Sequence, residues 1–103
     1  MQKEASLSKK ICTKLEATFE KCKAEKSHGS PMGRCELDIR GAVNGIAFEF
    51  EVKLPGEKPT PRQFHRIREL EGVGIVTGWV DNVDDAILLI KTGVENFKAR
   101  MKE

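Results

Sequence analysis

Hydrophobic and polar residues recur along the chain with two different periods, and each period predicts a different type of element. Apolar residues from Leu7 to Cys22 recur at helical spacing, which predicts an amphipathic helix over residues 4–26. Residues 27–33 are rich in serine and glycine and include a proline, a composition typical of a loop that ends such a helix.

The next region alternates strictly on both sides of the dipeptide Asn44-Gly45. This dipeptide favours a two-residue hairpin turn, because both central positions of that turn need positive φ. The turn sets a register that gathers one apolar face: Leu37, Ile39, Val43, Ile46, Phe48, Phe50 and Val52. A slip of one residue would scramble this face, so the pattern supports the register independently of the turn.

The second half of the chain predicts helices around one further strand. Thr60 and Pro61 are typical of a helix N-cap and first turn, and this helix should run to residue 71. It should bury Phe64, Ile67 and Leu70. Residues 72–80 then predict a strand that is buried on both faces.

The C-terminal region predicts two helices. Asn82 should open one that runs to Ile90, with acidic residues in its first turn. Thr92 and Gly93 should break it before a short charged helix. The order helix, hairpin, helix, strand, helix, helix predicts an α/β fold in which helices flank a mixed β-sheet.

Length and composition narrow the class of protein. The 103 residues make room for one domain over 1–103, and 39% hydrophobic with 33% charged residues is typical of a soluble domain. No apolar run reaches the ~18 residues of a membrane span, and no secretory signal precedes the first helix. We therefore expect a cytoplasmic protein that does not enter a membrane.

Cysteine usage agrees with a reducing compartment. The odd number of cysteines (Cys12, Cys22 and Cys35) and the lack of close paired spacing predict reduced, partly buried thiols. A metal site that combines Cys22 and Cys35 with His28 and His65 is a less favoured alternative.

The net charge of +2 hides an alternation of sign along the chain. Residues 1–34 and 53–68 each carry a net +4, whereas residues 35–52 and 69–103 each carry −3. A solvated surface can produce such blocks. The alternative is an acidic site that holds a cation inside a rim that attracts a polyanion.

The hairpin register places Asp38 directly opposite Glu51, with Lys53 two residues further on the same face. Cross-strand neighbours lie about 4.5–5.5 Å apart at Cβ, where like charges repel. A hard divalent cation removes that repulsion, and a nearby ammonium stabilises charge that develops on a phosphate. Two carboxylates that point apart into water are the structural alternative.

Three residues of the second predicted helix also allow two interpretations. Gln63 can close a capping box with Thr60, or it can point toward the sheet. Arg62 and Arg66 are suited to phosphate contact, although isolated surface arginines carry no such meaning.

The segment FEFEVKLPGEKPTPRQ (residues 48–63) resembles the core motif of VRR-NUC domains, within the PD-(D/E)XK nuclease superfamily. The motif is a strand with Glu-x-Lys, a loop rich in Pro, Gly and Lys, and a helix start with Pro-x-Gln. An upstream acid at Asp38 and a strand around residues 73–80 extend the resemblance over residues 30–90. Leu37 departs from it, because family members place proline before the acid.

The resemblance implies a restriction-endonuclease-like core and divalent-metal-dependent hydrolysis of DNA phosphodiesters, often in branched DNA such as Holliday junctions or flaps. Small stand-alone members are typical of bacteriophages and act as homodimers. Carried over to this chain, it makes Asp38 and Glu51 ligands of Mg²⁺ or Mn²⁺, the Val52 carbonyl a further ligand, Lys53 the catalytic lysine, and Gln63 a support for the site.

The family also places a glutamate of the first helix near the metal. Glu4, Glu16 and Glu20 compete for this role, and we expect Glu16 because it borders the apolar stripe of the helix.

The sequence therefore predicts a metal-dependent DNA endonuclease. The basic residues expected to follow the nucleic-acid backbone are Lys58, Arg62, Arg66 and Arg68. The main alternative is a non-catalytic nucleic-acid-binding accessory module on the same fold, and a weaker one is a protein-binding domain.

Overall fold

A computed structural model describes residues 3–27 and 36–102 of the chain. Within these residues the helices are α1 (Glu4–Thr18), α2 (Pro61–Gly72) and α3 (Val83–Met101). The strands are β1 (Cys22–Lys26), β2 (Ile39–Val43), β3 (Ile46–Val52) and β4 (Val76–Val80). They form one sheet in the order β1-β2-β3-β4, with β3 and β4 parallel and the other pairs antiparallel. The predicted mixed sheet flanked by helices is confirmed.

The hairpin between β2 and β3 has the predicted turn and register. Asn44 and Gly45 both have positive φ, at 51° and 82°, as a two-residue turn of this type requires. Ile39 pairs with Phe50, and Val43 pairs with Ile46. This hairpin carries most of the site described below, so its register decides where the acidic side chains lie.

Two hydrophobic clusters lie on either side of the sheet. The larger one fills the space between the sheet and helices α1 and α3, and the smaller one lies under α2. Leu37 belongs to the smaller cluster, with Ile67 and Leu70, so its predicted place on the same face as Ile39 is wrong. The chain bends at Asp38, just before β2 begins, and this bend breaks the alternation of side chains.

The first helix is shorter than predicted, and a strand follows it. α1 ends at Thr18, and positive φ at Lys21 turns the chain back along β2 as strand β1. Gly41 of β2 permits the close approach, because a Cβ atom there would overlap the carbonyl oxygen of Lys23. Pairing with β2 satisfies the backbone groups of residues 22–26, and this long-range interaction overrides their helical spacing.

The predicted break at Thr92 and Gly93 is also wrong, since α3 runs without interruption to Met101. Gly93 lies where the helix crosses β4, and a Cβ atom there would overlap the side chain of Val76. The glycine therefore serves close packing of a helix on a strand and does not end the helix.

Strand β4 starts later and is less buried than predicted. α2 extends to Gly72, and positive φ at Gly74 makes the turn before Val76. Val73, which the prediction placed in the strand, precedes it and is 74% exposed. Trp79 of β4 is 37% exposed, so the strand is not covered on both faces. Its start is displaced because Val73 ends the helix by donating its N–H to the Leu70 carbonyl.

Other expectations concern the membrane and the cysteines. In the described part of the chain, no helix is both long and apolar enough to cross a bilayer. Cys12 and Cys22 are half-buried free thiols. Residues 28–35 lie outside the described residues, so the loop expected there and the alternative site with His28 and Cys35 have no structural description.

Candidate metal centre

Three carboxylates from three separate elements meet at one end of the sheet. Glu51 comes from the end of β3, Asp38 from the bend before β2, and Glu4 from the first turn of α1. One oxygen from each carboxylate lies within 4.8 Å of the other two. The fold therefore brings together acids that are distant in the sequence.

Backbone contacts hold Asp38 and Glu51 face to face. The Asp38 N–H donates to Glu51 Oε1 at 3.2 Å, and the Val52 N–H donates to Asp38 Oδ2 at 3.1 Å. Each carboxylate thus accepts from a backbone N–H at or next to the other acid. These bonds replace the backbone pairing that would otherwise continue the ladder between β2 and β3. This exchange orients both side chains and leaves an oxygen of each for another partner.

Lys53 and Gln63 contact the same oxygen of Glu51. Lys53 Nζ lies 3.4 Å from Glu51 Oε2, and Gln63 Nε2 donates to that atom at 2.8 Å. The Gln63 side chain also closes the capping box of α2, since its Oε1 accepts from the Thr60 N–H at 2.9 Å. Gln63 therefore makes both of the predicted contacts. Its amide oxygen closes the capping box, and its amide nitrogen reaches Glu51 on the sheet.

The electrostatics of the cluster disfavour full ionisation. Burial raises the pKa of Glu51 to about 7, and the negative charge of Asp38 acts in the same direction, against the lowering effect of Lys53. Burial also raises the pKa of Glu4, with Asp38 again the next cause. Only 2% of the Glu51 side chain is exposed, so water does little to screen this repulsion.

The expected ligand from α1 is at the wrong position. Glu16 lies beside β1, where its Oε2 accepts from the Ala24 N–H at 3.0 Å and lies 3.8 Å from Lys23 Nζ. Neither Glu16 nor Glu20 belongs to the carboxylate cluster formed by the described residues, whereas Glu4 does. Glu16 is thus used to attach α1 to the neighbouring strand.

A signal for Glu4 was present in the helical spacing. Glu4 lies three residues before Leu7 and seven before Ile11, both buried, so it continues their stripe by one turn toward the sheet. Glu16 follows Leu15 and lies outside that stripe. Spacing from the buried positions therefore distinguishes the two glutamates.

The basic residues predicted to contact nucleic acid divide into two groups. Lys58, Arg62 and Arg68 are exposed. Arg66 instead donates from Nε and Nη2 to the two oxygens of Glu49, at 3.0 and 3.1 Å. This two-point contact holds the Arg66 guanidinium against β3, and its predicted contact with phosphate stays a prediction.

The donor set of the cluster fits a hard divalent cation. All three side chains offer carboxylate oxygens, which Mg²⁺ and Mn²⁺ prefer over nitrogen or sulfur ligands. A cation there would also offset the two effects that raise the pKa of Glu51, burial and the negative charge of Asp38. Lys53 lies beside this cation position, where an anionic group of a ligand would approach.

Comparisons with known proteins bear on the fold. No family model matches the sequence, and no curated protein matches it. Among solved structures, a chain described as "VRR_NUC domain" matches with a TM-score of 0.70 at 23% sequence identity. The match covers 88% of this chain and 97% of that chain. An agreement of this extent at such low identity shows a shared fold.

Proposed function

We propose, on the premise that this chain has the fold of a VRR_NUC domain, that it is a metal-dependent endonuclease that hydrolyses DNA phosphodiester bonds. The observation that carries the proposal is the meeting of Glu4, Asp38 and Glu51 around one position, with Lys53 in contact. Such a group of acids costs stability unless a cation compensates it. That cost is consistent with a functional site.

Glu4, Asp38 and Glu51 are the proposed side-chain ligands, and the backbone carbonyl of Val52 is a further one. Bound there, Mg²⁺ or Mn²⁺ would supply a Lewis acid that neutralises phosphate charge and makes a water molecule more acidic. Val52 adjoins the site through its N–H, which donates to Asp38. The hairpin thus holds two acids and a backbone group in one geometry.

Lys53 is the proposed catalytic lysine. Its side chain is only 12% exposed and its ammonium contacts Glu51, so it is held in place before substrate arrives. A positioned ammonium stabilises the negative charge that grows on the non-bridging and attacking oxygens during hydrolysis. The contact with Glu51 keeps the Lys53 ammonium beside the proposed cation position.

Gln63 is proposed as a positioning residue. Its amide links the N-terminus of α2 to Glu51 Oε2, so the capping box and the acid are held together. A neutral donor orients the carboxylate without cancelling the charge that a cation needs.

The exposed cations Lys58, Arg62 and Arg68 are the proposed contacts to the phosphate backbone. They lie on α2 and on the loop before it, in the same part of the chain as Gln63. Cationic contacts of this kind provide sequence-independent affinity that weakens with salt.

The proposed substrate is branched or otherwise structured DNA in the cytoplasm, and the proposed active form is a homodimer. A two-fold dimer presents two sites with opposite strand polarity, as symmetric cleavage of a junction requires. Light scattering coupled to size exclusion should then give twice the chain mass of 11.5 kDa.

The decisive experiment incubates end-labelled four-way junction, flap and linear duplex with Mg²⁺, Mn²⁺ or EDTA. We expect products from the structured DNAs with either metal and none with EDTA. Glu51→Ala and Lys53→Ala should abolish cleavage and leave DNA binding largely intact. Full activity of Glu51→Ala would reject the assignment of the site.

A non-catalytic nucleic-acid-binding module is the second candidate, favoured by the exposed cations on α2. It predicts salt-sensitive binding of the same DNAs with no product under any metal condition. The same gel separates the two, because binding without cleavage appears as a shift of uncut DNA. If the protein fails to bind a DNA column, a protein-binding domain would be the remaining candidate function.

A further inference from the structure

Trp79 is the neighbour of Glu51 in the sheet. The parallel ladder between β3 and β4 pairs Glu51 with Trp79, and adjacent strands lie about 4.8 Å apart. Val76 and Val80 of β4 point into the larger cluster. By alternation, Trp79 therefore lies on the opposite face of the sheet, the face that carries Glu51 and α2.

Within the described chain no strand lies beside Trp79 on its outer side, because β4 is at the edge of the sheet. Trp79 is 37% exposed, and the other large exposed hydrophobic residues, Val73, Leu88 and Met101, are aliphatic. Of the described residues, it alone combines an aromatic ring with exposure at this end of the sheet. An exposed indole beside an acidic centre is poorly explained by core packing.

We propose that Trp79 is a stacking platform for one unpaired nucleobase adjacent to the phosphodiester that the metal centre cleaves. An indole face accepts any base, because every base has a π-face. A base within a duplex is already stacked on both sides. The platform therefore selects DNA with an unpaired nucleotide at the scissile position, such as a single-stranded arm or the branch point of a flap. This inference rests on the proposed nuclease function.

The composition of the chain allows this contact to be measured by tryptophan fluorescence. The chain contains one tryptophan and no tyrosine, so its indole fluorescence reports Trp79 alone. The wild-type protein is titrated in EDTA with oligothymidylate, a flap and a blunt duplex, while a dye on the DNA reports binding by anisotropy. We expect saturable quenching with oligothymidylate and the flap, at the midpoint of the anisotropy change, and little quenching with the blunt duplex.

Variants of Trp79 separate stacking from packing. Trp79→Phe keeps an aromatic face, whereas Trp79→Leu keeps apolar volume without one. We expect Trp79→Leu to bind oligothymidylate roughly 5- to 150-fold more weakly than wild type, and Trp79→Phe to lie between them. Blunt-duplex affinity should be the same in all three proteins. Leu88→Ala, which changes an exposed apolar residue of α3, is the matched control.

The outcomes test the proposal for Trp79 separately from the proposed nuclease function. Unchanged emission at saturating oligothymidylate, or equal affinities of Trp79→Leu and Trp79→Phe, would overturn the platform even if the protein cleaves DNA. Conversely, an absence of metal-dependent cleavage would remove the nuclease proposal, and quenching by unpaired DNA would still support a base contact at Trp79. Thermal unfolding of each variant confirms that affinities are compared between folded proteins.

Discussion

Glu49 and Glu51 lie two residues apart on the same face of β3, and both point toward α2, but their surroundings differ. Glu49 receives two N–H donors from Arg66 and a third from the backbone of Leu37. Glu51 also accepts from one backbone N–H, that of Asp38, and from the amide of Gln63, and it contacts the ammonium of Lys53. It lies in a cluster of three acids.

The two carboxylates differ both in burial and in how their charge is balanced. Each side chain is largely buried, with 12% of Glu49 and 2% of Glu51 exposed. Glu49 is matched by one guanidinium in a two-point contact, so its charge is compensated within the protein. At Glu51, burial raises the pKa and the negative charge of Asp38 adds to this effect, while Glu4 belongs to the same cluster of acids. A compensated carboxylate supports the fold, whereas one left with excess negative charge favours a cation.

The strongest test exchanges the two carboxylates for amides of the same shape. Glu51→Gln should reduce the rate of DNA cleavage by more than the roughly 10- to 100-fold that loss of an outer partner of a metal site costs. Glu49→Gln should keep the rate within a few-fold of wild type. Single-turnover cleavage of a flap in Mg²⁺ measures both. Equal losses in the two variants would remove the distinction between them.

The pH dependence of stability tests the same contrast without substrate. The pKa of Glu51 is about 7 in the folded protein against an ordinary value of 4.5. Its contribution to stability is therefore complete below about pH 4.5 and is lost as pH rises through about 7. In EDTA, the ionisation of Glu51 should lower the free energy of unfolding by roughly 3 kcal/mol between pH 4.5 and pH 8.

Urea unfolding at pH 5 and pH 8 measures this loss, and Glu51→Gln is the control that should not show it. Mg²⁺ should restore stability at pH 8 and have little effect at pH 5, where protons compete with the cation for the carboxylates. A pH profile of Glu51→Gln that coincides with that of wild type would show that Glu51 is ionised at its ordinary pKa.

The two ends of α1 provide the next comparison. Glu4→Gln should weaken Mn²⁺ binding and cleavage by at least the roughly 10- to 100-fold that loss of an outer partner of a metal site costs, because Glu4 is a proposed ligand. Glu16→Gln should leave both unchanged, because Glu16 bonds to β1. Calorimetric Mn²⁺ titration of the two variants measures the affinities. A loss confined to Glu16→Gln would restore the assignment expected from the sequence.

Arg66→Ala should give the smallest effect, and one on stability only. It removes two N–H donors from the buried carboxylate of Glu49, at a cost of roughly 1–3 kcal/mol. Chemical denaturation measures the cost, and Mn²⁺ affinity should not change. Arg68→Ala, at an exposed position of the same helix, is the stability control. Weaker DNA binding by a fully stable Arg66→Ala would favour its original assignment to phosphate contact.

The part of the site that the sequence predicted is carried by the hairpin and the start of α2. Asn44 and Gly45 set the turn, and the turn sets which residues of β3 face β2. Thr60, Pro61 and Gln63 set the helix start in the same local way. The turn brings Asp38 back toward Glu51, and Lys53 follows Glu51 by two residues.

The remainder depended on contacts between distant segments. Glu4 reaches the site only because α1 packs across the sheet, and a helix pattern alone does not tell which end of the helix lies nearest the acids. β1 formed against its own helical spacing because β2 offered unpaired backbone groups. The bend at Asp38, which moves Leu37 beneath α2, is another effect of packing.

By itself, the order of residues determined the hairpin register, the cap of α2 and the pairing of two acids, because these depend on turn geometry and side-chain alternation over a few residues. The tertiary structure decided which third acid joins them, which arginine is committed to a carboxylate and which aromatic ring lies beside Glu51. Those choices depend on how helices and strands far apart in the chain come to pack. Local periodicity carries no information about the distances between them.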